Sequence, residues 1–263
     1  LSHWEVSGIV TLQDGTPSTW NAFTGVLADL RARWRDRQGE GLRILTGPTS
    51  SPTLIRQFGD LAKQFPKMRW SQFAPVGAAQ EAEAMALSFG RPVTPHFMLE
   101  KCDVVVSLGY DLLGPGPQQV SRAGAWTRHR GEVAPGSGRS RLHIVESVPS
   151  LTGTVASTRL AGDPDRIEAL ARAIAAEFKI DGFAQPELEA AERKWLDQAL
   201  RELRKRGGHS LLAIGQQFGP DVQMIAALVN EHLNNVNTTV WYSEPILPGR
   251  GAREYPLINV YED

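Results

Sequence analysis

The chain has 263 residues, with 28 Lys and Arg against 29 Asp and Glu, a formal net charge of −1 and 41% hydrophobic residues; disordered and fibrous classes are excluded. That balance gives no electrostatic case for nucleic acid, since the densest basic run, Arg201 to Arg206, is interleaved with Glu202 and Leu203 on a predicted helix and reads as a solvated face. One cysteine, Cys102, excludes an internal disulfide framework, a paired redox motif and the multi-cysteine zinc or iron–sulfur sites, and no stretch approaches the ~20 apolar residues of a membrane span.

The first residues, Leu1-Ser2-His3-Trp4, carry neither an initiator Met nor a charged-then-apolar leader, and the chain reads as a piece of something longer. Trp20, Phe23, Leu27, Leu30 and Trp34 recur at spacings of three and four, predicting a helix from about Ser18 to Arg37 that Gly39 and Gly41 stop. A short β-rich run, Arg43–Thr46, follows. Ser51-Pro52 is a capping residue with Pro at the first helical position, and Leu54, Ile55, Phe58, Leu61 and Phe65 carry the apolar face until Pro66. Arg69–Phe73, Asp103–Leu108 and Leu142–Glu146 are the next predicted strands. Asp163-Pro164 repeats the start signal ahead of Ile167, Leu170, Ile174 and Phe178, and a long helix is predicted from Pro186 to Arg206, closed by Gly207-Gly208. A strand at Ser210–Ile214, a helix from Pro220 to about Leu233 and a strand at Thr238–Ser243 complete the pattern. Strands alternating with amphipathic helices predict an α/β protein with mostly parallel strands. The Gly- and Pro-rich segments 109–118 and 131–139 read as loops, the second mobile, and no internal repeat occurs.

Gly47, Gly109 and Gly215 each stand at the carboxyl end of a predicted strand, where open α/β sheets hold ligands and a following helix start could receive phosphate. None lies in a GxGxxG pattern, and the Gly47 loop has no Lys for a Walker-type site. Tight strand-to-helix turns explain the same glycines. Thr49, Ser50 and Ser51 could donate to phosphate, although Ser51 is already accounted for as a helix cap. Asp111 and Glu146 follow strand ends, where an acid can accept from ribose hydroxyls or simply cap a loop. The six histidines show no metal-binding spacing. Ser147, Ser150 and Thr152 lie near Glu146 without a G-x-S-x-G elbow, which argues against a hydrolase. Lys101 beside Cys102 could lower the thiol pKa, while a buried inert thiol is the simpler reading.

Several segments together resemble a family. Trp20-Asn21-Ala22-Phe23, the strand ending in Gly47, the run from Cys102 to Asp111, and Leu142 to Ser147 followed by Thr152 and Leu160 are similar in order to segments of the molybdopterin oxidoreductases. Arg43 to Leu54, Arg69 to Pro75, Val105 to Gly114, Val145 to Gly153 and Val240 to Pro245 look most like the molybdopterin-oxidoreductase-like region of the large iron–sulfur subunit of bacterial alternative complex III.

The resemblance implies two Rossmann-like, mostly parallel α/β domains, one inserted in the other, as in domains 1–3 of formate dehydrogenase and DMSO reductase. The outer domain would be 1–70 with 207–263 and the inserted one 71–206, which requires Arg43–Thr46 to share a sheet with Ser210–Ile214 and Thr238–Ser243. Function would then be that of a non-catalytic scaffold domain in a respiratory, quinol-oxidising iron–sulfur subunit. No catalytic or metal-ligating residue is expected, and no cofactor in this fragment, with Gly47, Gly109, Asp111, Glu146 and Gly215 lining a vestigial cleft. The alternative is a fragment of an active enzyme binding molybdopterin guanine dinucleotide. Two departures favour the first: Tyr110-Asp111 adds a ring and a negative charge where a guanosine phosphate would approach, and Glu146-Ser147-Val148 replaces an Asp-Pro-Arg loop. Iron–sulfur clusters are expected outside the fragment. Implied partners are an iron–sulfur domain of the same chain and multihaem cytochrome and membrane subunits, on the periplasmic side of the cytoplasmic membrane; nucleic acid and a direct membrane span are not expected.

Overall fold

The computed structural model describes residues 9–11, 17–47, 49, 51–72, 78–116, 118–132 and 140–244. Contacts divide these into two units, one ending at residue 72 and one comprising 78–244.

In the first unit β1 (Ile9–Thr11) and β2 (Pro17–Thr19) form an antiparallel pair, and helix α1 (Trp20–Asp36) follows. Thr19 caps α1, its Oγ1 accepting from the Ala22 amide at 3.3 Å. The βαβ unit then runs through β3 (Arg43–Thr46), α2 (Pro52–Gln64) and β4 (Arg69–Gln72), with β3 and β4 parallel and Arg43 opposite Arg69. Ser51 Oγ accepts from the Leu54 amide at 3.3 Å with Pro52 opening the helix, as the sequence signals. Leu42, Phe65 and Trp70 are buried, the Trp70 ring lies 4.2 Å from that of Phe58, and its Nε1 donates to Thr46 Oγ1 at 3.0 Å. The turn after α1 needs glycine: at Gly39 φ is +85°, and a Cβ there would lie 2.5 Å from that of Phe65.

The second unit opens with α3 (Ala78–Phe89), β5 (Thr94–Phe97) and a short 3₁₀ turn, Leu99–Lys101. Its central sheet contains β6 (Val104–Leu108), β7 (Arg141–Glu146), β8 (Thr158–Ala161) and β9 (Ser210–Ile214), in the order β8-β7-β6-β9 and parallel throughout. Between them lie α4 (Gln119–Glu132), α5 (Leu151–Thr154), α6 (Pro164–Glu177) and α7 (Ala190–Lys205), and after β9 come α8 (Pro220–His232) and β10 (Val240–Ser243). The chain enters at β6, steps outward to β7 and β8, then returns past β6 to β9. That is the order of one half of a doubly wound, Rossmann-like sheet.

Side-chain alternation along β6 divides the core into two layers. Val104, Val106 and Leu108 face the layer built with α6, α7 and α8, while Val105 faces the one holding Leu99, Leu112 and Trp126. Both sheet faces are covered, as an all-parallel sheet requires.

The edge of β9 away from β6 is closed by side chains. Asn230 on α8 accepts from the Leu212 amide at 3.0 Å and donates to the Leu212 carbonyl at 2.8 Å. Nearby, Thr239 Oγ1 donates to the Ser210 carbonyl and Asn235 accepts from the Gly208 amide. An amide that imitates a neighbouring strand leaves no free ladder groups at Leu212 for another strand to join.

The strand pairing differs from the one that the resemblance requires. Among the described strands, β3 pairs only with β4, β9 pairs with β6, and β10 lies antiparallel on β5, with Val240 opposite Phe97. Residues 207–244 therefore belong with 78–206. The sheet-sharing that the molybdopterin-oxidoreductase resemblance required is not observed.

Smaller differences have local causes. The long helix begins at Ala190 rather than Pro186 because a capping box closes there, Glu192 accepting from the Glu189 amide at 2.8 Å. β1, β2, β5, β8, α3, α4 and α5 have no counterpart among the predicted elements: Thr94-Pro95-His96-Phe97 is short and interrupted by Pro, and Gln119–Glu132 is polar over most of its length. Phe73, Ser50 and most of the 131–139 loop fall outside the described residues.

Candidate functional site

The carboxyl ends of β6, β7 and β9 bring together four of the five anticipated positions. Gly109 follows β6, its amide donating to the Val145 carbonyl at 2.8 Å; Gly215 follows β9, its amide donating to the Leu108 carbonyl at 2.9 Å. The space between these strand ends is where a half-sheet of this order reverses direction, and where such folds place nucleotides.

That space is filled by the chain itself. Gln217 Nε2 donates to the Gly109 carbonyl at 2.7 Å, reaching from the β9 side to the β6 side. Phe218 is buried beneath it, and a Cβ at Gly109, whose φ is +63°, would lie 2.7 Å from the Phe218 ring. A Cβ at Gly215 would meet the Gln217 amide oxygen and, at 2.5 Å, the Gly109 carbonyl. Both glycines are required by close approach of the protein to itself.

The two acids are likewise engaged internally. Asp111 Oδ1 accepts from the Thr152 amide at 3.0 Å and the Thr152 hydroxyl at 2.6 Å, and Thr152 Oγ1 accepts from the Leu113 amide at 2.9 Å. The loop after β6 is thereby pinned to α5. Glu146, buried at the end of β7, accepts from the Ser150 hydroxyl at 2.5 Å, the Ser150 amide at 3.4 Å and Arg159 Nε at 2.5 Å. Ser150 Oγ in turn accepts from the Gly153 amide at 3.0 Å, which caps α5. These carboxylates organise loops and have donors already in hand.

Gly47 belongs to the first unit, where it follows β3 with open space around its α-carbon. Thr49 Oγ1 accepts from the Ser51 amide at 3.3 Å, so the hydroxyls there serve the α2 cap.

The sequence places Thr152 near Glu146 but does not show its bonds to Asp111, and it gives no role to Gln217, Phe218 or Arg159. The basic residue absent from the loop after Glu146 is supplied by Arg159 from β8, a strand too short and mixed to be recognised. Gln216-Gln217-Phe218 directly after Gly215 was the one available signal for a filled crevice, since long amide and aromatic side chains there can reach back across the strand ends.

Elsewhere, His143 is fully buried in β7, with Nδ1 2.7 Å from Thr158 Oγ1 and Nε2 3.0 Å from Glu202 Oε2. Burial holds its pKa below the usual histidine range, outweighing the opposite pull of Glu202. Burial likewise raises Glu202, but the His143 hydrogen bond and the nearby charges of His143 and Arg141 hold it below the ordinary value. Both directions describe one state, a neutral, fully buried ring whose Nε2 donates to the ionised Glu202 carboxylate. Cys102 is fully buried, its thiol pushed up by that burial and donating to the Met98 carbonyl at 3.3 Å, so Lys101 does not activate it. Among the described residues no group of three His, Cys, Asp or Glu side chains is arranged to hold a metal ion, and no helix is long and apolar enough to cross a membrane.

No family model matches the chain, and no curated protein matches it. One solved structure with a similar course is a chain of the formyltransferase/hydrolase complex (FhcABCD) from Methylorubrum extorquens, determined with methylofuran. Identity is 18% and the TM-score 0.48 over 84% of this chain, which spans about half, 56%, of that one. That structure is a formyltransferase/hydrolase complex and not a molybdopterin oxidoreductase. The separate sheets of β3, β9 and β10 overturn the alternative complex III resemblance and, with it, the respiratory role, and what stands is an α/β Rossmann-like fold.

Proposed function

We propose that this chain is a subunit of a multi-protein assembly, an α/β body that takes no nucleotide cofactor in the crevice of its parallel sheet. The observation that carries the reading is the Gln217 amide on the Gly109 carbonyl above the buried Phe218. A pyrophosphate approaching the end of β6 would have to displace both residues, and Asp111 and Glu146 would have to give up internal donors to receive a ribose. Exposed Val148, Leu151 and Val155 beside this end of the sheet are apolar where a nucleotide site would present donors.

Two measurements test this on the full chain. Calorimetric titration with NAD, ATP and GTP at millimolar concentration is expected to show no binding; micromolar binding that Gly109→Val removes would overturn the closed crevice. Size-exclusion chromatography of the protein from its native source is expected to give a mass well above that of one chain, and elution as a monomer would overturn the assembly role. The same preparation shows whether the partners include formyltransferase or hydrolase polypeptides.

A further inference from the structure

We infer that α1 is a docking helix that seats its apolar stripe in a groove, rimmed by Asp and Glu, on a different polypeptide; the inference rests on the assembly role proposed above. The two units differ in how their helices are covered. In the second unit α6, α7 and α8 each bury a continuous stripe, including Leu170 and Ile174, Leu196 and Leu203, and Ile225 and Val229. In the first, neither the 17 residues of α1 nor the 13 of α2 include a buried one. Trp20, Val26 and Leu27 on α1 are exposed, Trp20 to 58%, and so is Leu45 on β3. A parallel pair of strands with an exposed Leu, and helices whose apolar stripes are at most half-buried among the described residues, is a partial α/β layer, and parallel sheets are stable with protein on both faces.

The charge pattern identifies the cover. At 100° per residue, Arg31 and Arg35 lie along one border of the stripe formed by Trp20, Phe23, Leu27, Leu30 and Trp34, and Arg33 and Arg37 along the other. None of these four arginines pairs with a described acid, although Asp29 and Asp36 are on the same helix. The α1 carboxyl-terminal dipole favours Arg33 and Arg35 there but does not account for a stripe, exposed at Trp20 and Leu27 and half-buried at Phe23, Leu30 and Trp34, between two basic borders. Apolar contact bordered by unpaired guanidinium groups is complementary to an apolar groove edged by carboxylates. The partial sheet beside it favours a protein over a lipid surface, which would cover the helix and leave β3 and β4 incomplete.

The test places a photo-crosslinking phenylalanine analogue at Val26 of the full chain in its native cells, with Val120, which is 86% exposed on α4, as the control position. The expected result is one crosslinked polypeptide at Val26, mapping to an apolar segment flanked by Asp and Glu. Arg31→Glu with Arg35→Glu should weaken that complex at least tenfold at low salt and less at high salt. These side chains are exposed, so circular dichroism and the unfolding midpoint should not move. Crosslinks within this chain or to a second copy of it, binding of the purified chain to vesicles of phosphatidylserine and phosphatidylcholine that Arg31→Glu with Arg35→Glu abolishes, or no crosslink in a preparation that elutes as an assembly would each overturn the docking helix. Elution of the native protein as a monomer would overturn the assembly role itself.

Discussion

The side-chain amide of Gln217 spans the ends of two parallel strands, donating to the main-chain oxygen of Gly109 at 2.7 Å. Because Gln217 is itself exposed, Gln217→Ala should cost only about 0.5–1.5 kcal/mol, read as a small fall in the denaturant midpoint. Gly109→Ala should cost more, about 2 kcal/mol, since it adds left-handed strain at φ +63° to a contact with the buried Phe218 ring. Equal effects would show that the ring moves freely and that the crevice is not packed.

Arg159→Met should destabilise by about 1–3 kcal/mol. Glu146 would remain buried with the Ser150 hydroxyl as its strongest donor, while Arg159 is partly exposed, which limits the loss. Combining it with Glu146→Gln should recover part of that loss in equilibrium unfolding; strictly additive losses would mean the pair is uncoupled.

Asn230→Leu keeps the branched four-atom shape of the side chain but removes both bonds to Leu212. The expected cost is about 2–4 kcal/mol, because a main-chain donor and acceptor on β9 lose their partners away from water. Asn230→Asp, which retains the acceptor and loses the donor, should also destabilise. A neutral Asn230→Leu would mean water reaches this edge.

Acid should weaken the fold through His143. Its folded pKa is depressed by burial, so the unfolded chain binds the proton more readily; stability is full above about pH 6.5 and declines as pH falls below that value toward the depressed one. Glu202 and Arg141 face the same ring and set how far the decline extends. One proton corresponds to at most ~1.4 kcal/mol per pH unit. His143→Gln should flatten the dependence of the unfolding free energy between pH 7 and 5; an unchanged slope would place the titration elsewhere.

Local signals carried much of the fold. Ser51-Pro52 and Asp163-Pro164 start helices where expected, and the apolar runs at Val104–Leu108 and Ser210–Ile214 are buried parallel strands, since each signal acts over a few residues. Strand partnership was not legible. Whether β9 accepts β3 depends on what occupies its outer edge, and there a single amide, Asn230, substitutes for a strand without altering any hydrophobic pattern. The site was legible as an address and misread as a vacancy: Gly109, Asp111, Glu146 and Gly215 do converge. The distance over which Gln217 and Arg159 reach back is a property of the folded backbone and not of spacing along the chain.

The return of the chain past β6 orders the folding of the second unit in time. Val104 faces Arg141 on one side and Ser210 on the other, so the β6–β7 ladder closes a short loop and the β6–β9 ladder a far longer one. Closure over the longer span costs more entropy before contacts repay it. β9 is therefore expected to join last, bringing Gly215, Gln217 and Phe218 with it. Pulse-labelled amide exchange should find Gly109, whose amide bonds the Val145 carbonyl, protected before Gly215, whose amide bonds the Leu108 carbonyl, and equal protection times would overturn this order.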